Sequence, residues 1–131
     1  MGYRSEVYLK TTTEGYIVLK QFNDSIPDPH EQFLDMATIE MTPSGFYKIT
    51  FHGIKWYDSY QSVQNFHHGL DNLEKSGIPY KFIRLGEEDS DIEILENYTD
   101  DMPDEIADFV VEVDAYDPDA GLYKEIEEGG E

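Results

Sequence analysis

The negative charge of this chain is unevenly distributed, and that unevenness constrains its folding more than any other feature. The 131 residues carry 29 Asp and Glu against 9 Lys and Arg. Residues 1–86 hold ten acids and eight bases, a net of −2. Residues 87–131 hold nineteen acids and one base, Lys124, a net of −18. Carboxylates resist joint burial, because like charges repel and each loses its hydration. A core must therefore come mainly from the first 86 residues. The acidic part is still not low-complexity. Ile92, Ile94, Leu95, Tyr98, Met102, Ile106, Phe109, Val110, Val111, Val113 and Tyr116 are interleaved with its acids. A disordered acidic segment carries fewer large apolar groups. The reading is a single domain over 1–116, with a near-neutral body (1–86) and an acidic folded part (87–116). An acidic, frayed tail is expected over 117–131.

Composition removes several classes. There is no cysteine, so disulfides, thiol nucleophiles and thiolate metal sites are excluded. The longest uncharged apolar run falls far short of the roughly 20 residues of a membrane span. The start, Met1 to Glu6, lacks the apolar centre of a signal peptide, and Glu6 occupies the place where a myristoylation motif needs Ser or Thr. A soluble, cytoplasmic protein is expected. Nucleic acid and anionic membrane would both be repelled, so neither is expected as a direct ligand.

Patterning gives an element order. Tyr3–Lys10 alternates and is rich in β formers, which reads as a strand. Thr11 and Glu14 have capping-box spacing, which would start a helix running to about Asn23. Tyr16–Leu19 could instead form a hairpin strand. Pro27 and Pro29 make a loop. Leu34–Met41 and Phe46–Ile54 read as strands joined by a Thr42-Pro43-Ser44-Gly45 turn. Val63, Phe66, His67, Leu70 and Leu73 form a helical stripe, with Asp58 as the expected N-cap and Gly77 and Pro79 as the stop. Tyr80–Leu85 is a further strand, and Ile92–Glu96 and Ile106–Asp114 look extended. The order β-α-β-β-α-β predicts an α+β fold: an antiparallel sheet with two helices on one face, ferredoxin-like, plus an acidic C-terminal extension.

Candidate chemistry is sparse. His30, His52, His67 and His68 contain no His-x-x-x-His pair, and adjacent helical residues project about 100° apart. No metal or other cofactor is expected. Asp117, Asp119 and Glu128 only faintly resemble a calcium loop, lacking its third Asp and its glycine. No phosphate loop, dinucleotide fingerprint or nucleophile elbow is present. An enzyme is not expected. Trp56, Tyr57 and Tyr60 cluster at a strand–helix junction, either as core or as an aromatic anchor for a partner, with Trp56 and Tyr60 as the contact residues. Same-face acids on a strand lie about 6.6 Å apart, comparable to phosphate spacing along a nucleic-acid strand. Asp89, Asp91 and Glu93 have that spacing, as do Glu112 and Asp114. Asp100, Asp101, Asp104, Glu105 and Asp108 would form a similar stripe on a helix.

Three stretches carry a resemblance. Met1-Gly2-Tyr3-Arg4-Ser5, Gly53-Ile54-Lys55-Trp56-Tyr57-Asp58-Ser59-Tyr60, and Phe82-Ile83-Arg84-Leu85-Gly86-Glu87-Glu88 with Asp91-Ile92-Glu93 resemble a group of small proteins of tailed bacteriophages. The likeness spans roughly residues 1–95 and lends no catalytic residue. It implies an accessory phage protein acting inside a bacterial cell. With the charge, it leads to an expected function: inhibition of a host nucleic-acid-handling defence protein, of anti-CRISPR or anti-restriction type. The acidic surface would mimic nucleic acid and meet the host protein's basic surface. The alternative is a phage interaction module with no inhibitory role. A monomer or small homo-oligomer is expected.

Overall fold

The computed structural model describes residues 2–110. Its elements are β1 (Ser5–Thr11), α1 (Thr13–Ser25), β2 (Thr38–Met41), β3 (Tyr47–Ile54), α2 (Gln61–Lys75), β4 (Tyr80–Leu85), β5 (Ile92–Asn97) and α3 (Asp104–Ala107). The strands form one antiparallel sheet in the order β2-β3-β1-β4-β5. The fold is α+β.

Alternation in β1 divides the molecule. Val7 and Leu9 point to one face, where they join Ile49, Phe51 and Phe82 against Leu19 of α1 and Phe66, Leu70 and Leu73 of α2. Burying these apolar groups is the main stabilising contribution, about 1.5–3 kcal/mol for each large side chain. Tyr8 points to the opposite face with Ile83 and Leu85, where Phe109 packs on them. The near-neutral body thus supplies the main core, and the acidic segment covers part of the second face.

Residues 13–25 form a helix rather than a hairpin strand. The cap is Thr12, whose side chain accepts from Gly15 N at 3.0 Å. Thr11 was the expected cap, but its hydroxyl donates to Pro79 O at 2.9 Å. β2 starts only at Thr38, because Leu34–Met36 is a 3-10 turn. The side-chain oxygen of Asn23 accepts from the N–H groups of Phe33 and Leu34 at 2.7 and 3.0 Å. Those bonds turn both apolar side chains into the core instead of along a strand.

α2 carries the expected stripe, but Asp58 does not cap it. The cap position is Tyr60, with no side-chain bond to the helix N–H groups. The other end follows expectation. Gly77 has φ +70°, and Ile78 N donates back to Leu73 O at 2.9 Å, the left-handed stop that glycine permits.

The extended segment expected from Ile106 begins instead as one helical turn. Ile106 and Ala107 both donate to Pro103 O, at 3.1 and 3.0 Å. The i, i+3 spacing then buries Ile106 and Phe109 together. Residues 111–114, and the tail expected over 117–131, lie outside the described residues. No helix among the described residues is long and apolar enough to cross a membrane.

Candidate partner-binding surface

The acids after Gly86 fall into two kinds. Some are held by cations or donors of the body. Others remain exposed.

The first kind starts at the β4–β5 turn. Antiparallel pairing sets Arg84 opposite Glu93. Arg84 Nε donates to Glu93 Oε1 at 3.1 Å, and its Nη2 donates to Asp91 Oδ1 at 2.8 Å. Tyr3 Oη donates to Asp91 Oδ2 at 2.7 Å. The Arg84 guanidinium, and after it the Tyr3 hydroxyl, hold the Asp91 carboxyl below its ordinary pKa. The same carboxylate raises the Tyr3 phenol. A side chain at Gly86 would collide with the Asp91 carboxylate and the Tyr3 hydroxyl, so glycine is what lets the turn close. Of the expected row Asp89, Asp91 and Glu93, only Glu93 lies on a strand.

α3 is tied down in the same way. Lys10 Nζ lies 2.9 Å from Glu105 Oε2, and 5.4 Å from the centre of the Phe109 ring. Ser44 Oγ also donates to Glu105. Lys81 Nζ reaches Ala107 O at 3.3 Å and Glu96 Oε2 at 3.4 Å. The Ser44 hydroxyl first, and then Lys10, pull the Glu105 carboxyl from its ordinary 4.5 down to about 2. The sign follows. A lowered carboxyl pKa stabilises the docked state above about 4.5, and that stabilisation drains away as pH falls toward about 2. A carbon-detected NMR titration is expected to put the Glu105 midpoint well below that of a free glutamate, and Lys10→Met should move it back up. A midpoint at the ordinary value would remove Lys10 and Ser44 as the docking contacts.

The second kind sits at the two ends of β5. Glu87, Glu88 and Asp89 are exposed in the turn before it, with Glu87 also accepting from Arg4 N at 2.7 Å. Asp100, Asp101, Asp104 and Asp108 are exposed after it, around α3. β5 itself spans about 17 Å at strand rise. Between the two groups, Ile92 is 40% and Ile94 52% exposed. β5 is an edge strand of the described sheet. Neither the exposed isoleucines nor the pairing of Arg84 was expected from the sequence. Glu112 and Asp114 lie outside the described residues.

The aromatic corner divides. Trp56 is 8% exposed, with its ring 5.2 Å from those of Phe51 and Phe66. It is mainly a core residue. Tyr57 Oη accepts from Tyr3 N at 2.9 Å. Tyr60 is 42% exposed and, of the two contact residues expected at this corner, is the one an approaching protein would meet first. His67 packs against Trp56, Phe66 and Phe82, and His68 is exposed. Among the described residues, no group of three or more His, Cys, Asp or Glu could hold a metal ion. No protein-family model matches the chain, and no curated protein or solved structure matches it.

Proposed function

We propose that this protein is a non-enzymatic binding module that meets a basic surface of a protein partner through β5 and α3. One observation carries the reading: two groups of exposed carboxylates flank an edge strand whose exposed side chains are Ile92 and Ile94. An apolar centre with a charged rim is the anatomy of a protein interface. The charge favours a basic partner and speeds encounter with it. The order of β1 to β4 and the two long helices supports a ferredoxin-like reading, with β5 as an added strand.

In its most specific form, the protein is a phage accessory factor in the host cytoplasm. It inhibits a nucleic-acid-handling defence protein by occupying its nucleic-acid site. The −18 segment and the resemblance to phage proteins support this form. The pairing of Arg84 with Asp91 and Glu93 narrows it, since a carboxylate already held by arginine imitates a phosphate poorly. The mimicking charges are then chiefly Asp100, Asp101, Asp104 and Asp108.

The test is quantitative binding to partners captured from a bacterial lysate at low salt. Replacing Asp100, Asp101, Asp104 and Asp108 together with Asn is expected to weaken binding at least about tenfold. Wild-type affinity should fall steeply as salt rises past the point where the screening length drops below about 10 Å. Binding indifferent to both would end the reading. Displacement of bound nucleic acid from the partner separates the inhibitor from a module with no inhibitory role.

A further inference from the structure

A second place on the surface has the opposite electrostatic character. A cleft of about 420 Å³ opens between the N-terminal end of β1, the C-terminal end of β3, the segment around His30 and the start of α2. Its volume falls in the range of small-molecule sites, about 300–1,000 Å³. Arg4, His30, His52, Lys55, Trp56 and Tyr60 line it, with apolar wall from neighbouring side chains. No Asp or Glu is among its lining residues, although the chain has 29 of them.

The local backbone builds this opening. The β1–β3 register shifts between Ser5 and Val7, the irregularity of a β-bulge. Gly53 there has φ +54°, and its carbonyl accepts from Arg4 Nη1 at 2.7 Å. That bond fixes the guanidinium while leaving its other N–H groups to donate. Neither Arg4 nor Lys55 forms an ion pair with a carboxylate of the described residues. Lys10, Lys20, Lys81 and Arg84 do. Three acids border the cleft, and its own groups hold them: Glu6 accepts from Gly53 N at 2.7 Å and lies 2.8 Å from His52 Nδ1, Glu87 accepts from Arg4 N at 2.7 Å, and Asp28 accepts from His30 N at 3.0 Å.

We propose that this cleft binds a small organic anion carrying a planar ring, with Arg4 and Lys55 on the anionic group and Trp56 and Tyr60 along the ring. Charge-assisted bonds from guanidinium and ammonium are the stronger kind, and aromatic walls favour a flat apolar body. The anionic group is a phosphate or a carboxylate. The site lies apart from β5 and α3 and does not rest on the partner-binding reading.

Trp56 is the chain's single tryptophan, so its fluorescence reports on this wall alone. The full chain is titrated with adenosine 5′-monophosphate, phenylacetate, adenosine and inorganic phosphate. A saturable change is expected with at least one of the two ring-bearing anions, and the tighter of them identifies phosphate or carboxylate as the anionic group. Adenosine and inorganic phosphate should bind at least about tenfold more weakly than that ligand, because each lacks half of the recognised chemistry. Lys55→Gln, and separately Arg4→Gln, should weaken binding about tenfold or more. Lys75→Gln removes the same charge at the far end of α2, about 20 Å away at helical rise, and should leave it unchanged. On the wild-type chain, added salt should weaken binding, which needs no variant to fold. No saturable response to either anion overturns the proposal. So does adenosine binding as tightly as its phosphate, or equal losses in the Lys55 and Lys75 variants.

Discussion

Replacing Phe66 with alanine is expected to lower the unfolding free energy by about 3–5 kcal/mol, the range for a fully buried phenylalanine. Phe66 is 0% exposed. Its ring lies 5.5 Å from Phe33, 5.7 Å from Phe51, 5.2 Å from Trp56 and 5.7 Å from Phe82. The contacts to Phe33, Phe51 and Trp56 are edge-on, the arrangement aromatic quadrupoles favour. Those four rings come from the segment before β2, from β3, from the β3–α2 junction and from β4. One side chain therefore joins α2 to the sheet and to the irregular segment at once. Urea unfolding followed through Trp56 fluorescence would show the midpoint fall with little change in slope. Phe66→Leu should lose less than half as much. A loss under about 1.5 kcal/mol for the alanine variant would mean that the surrounding rings collapse into the space.

Phe66 also shows what a linear sequence can reveal. The stripe of Val63, Phe66, Leu70 and Leu73 is a local pattern, and α2 was legible from it. Its start was not, because Asp58 has the chemistry of a cap while the chain reverses through Tyr57 and Tyr60 first. Gly77 was legible as a stop because a left-handed residue is a local need. Residues 34–36 were misread because the polar group that reshapes them, Asn23, lies eleven residues before Leu34.

The surface was harder to read than the core. Spacing along Asp89, Asp91 and Glu93 shows which acids could share a face, yet says nothing of what stands across from them. Only the β4–β5 pairing brings Arg84 to two of the three. Lys10 and Lys81 are likewise ordinary strand residues until α3 folds over them. Three of the body's cations, Lys10, Lys81 and Arg84, pair with the acidic segment, and the net charge of −18 overstates what that segment shows to a partner. The cleft was illegible for the same reason, since Arg4, His30, His52 and Lys55 share no local pattern.

Asn23→Ala is expected to cost about 2–4 kcal/mol, although the residue is polar and ends a helix. Asn23 is 1% exposed, and one oxygen serves two buried N–H groups, those of Phe33 and Leu34. Alanine would leave both donors without a partner, at about 1–3 kcal/mol each before the segment relaxes. Relaxation would have to pull Phe33 and Leu34 away from the α2 face, so hydrophobic burial opposes it. The consequence reaches the cleft, because Phe33 and Met36 form part of its wall. The variant should therefore lose anion binding reported by Trp56 even where circular dichroism shows it folded. Hydrogen exchange should locate the loosening at residues 30–38 and leave β4 and β5 protected. A loss below about 1 kcal/mol, with those amides still protected, would show that the turn is held by apolar packing alone and that the Asn23 oxygen is dispensable.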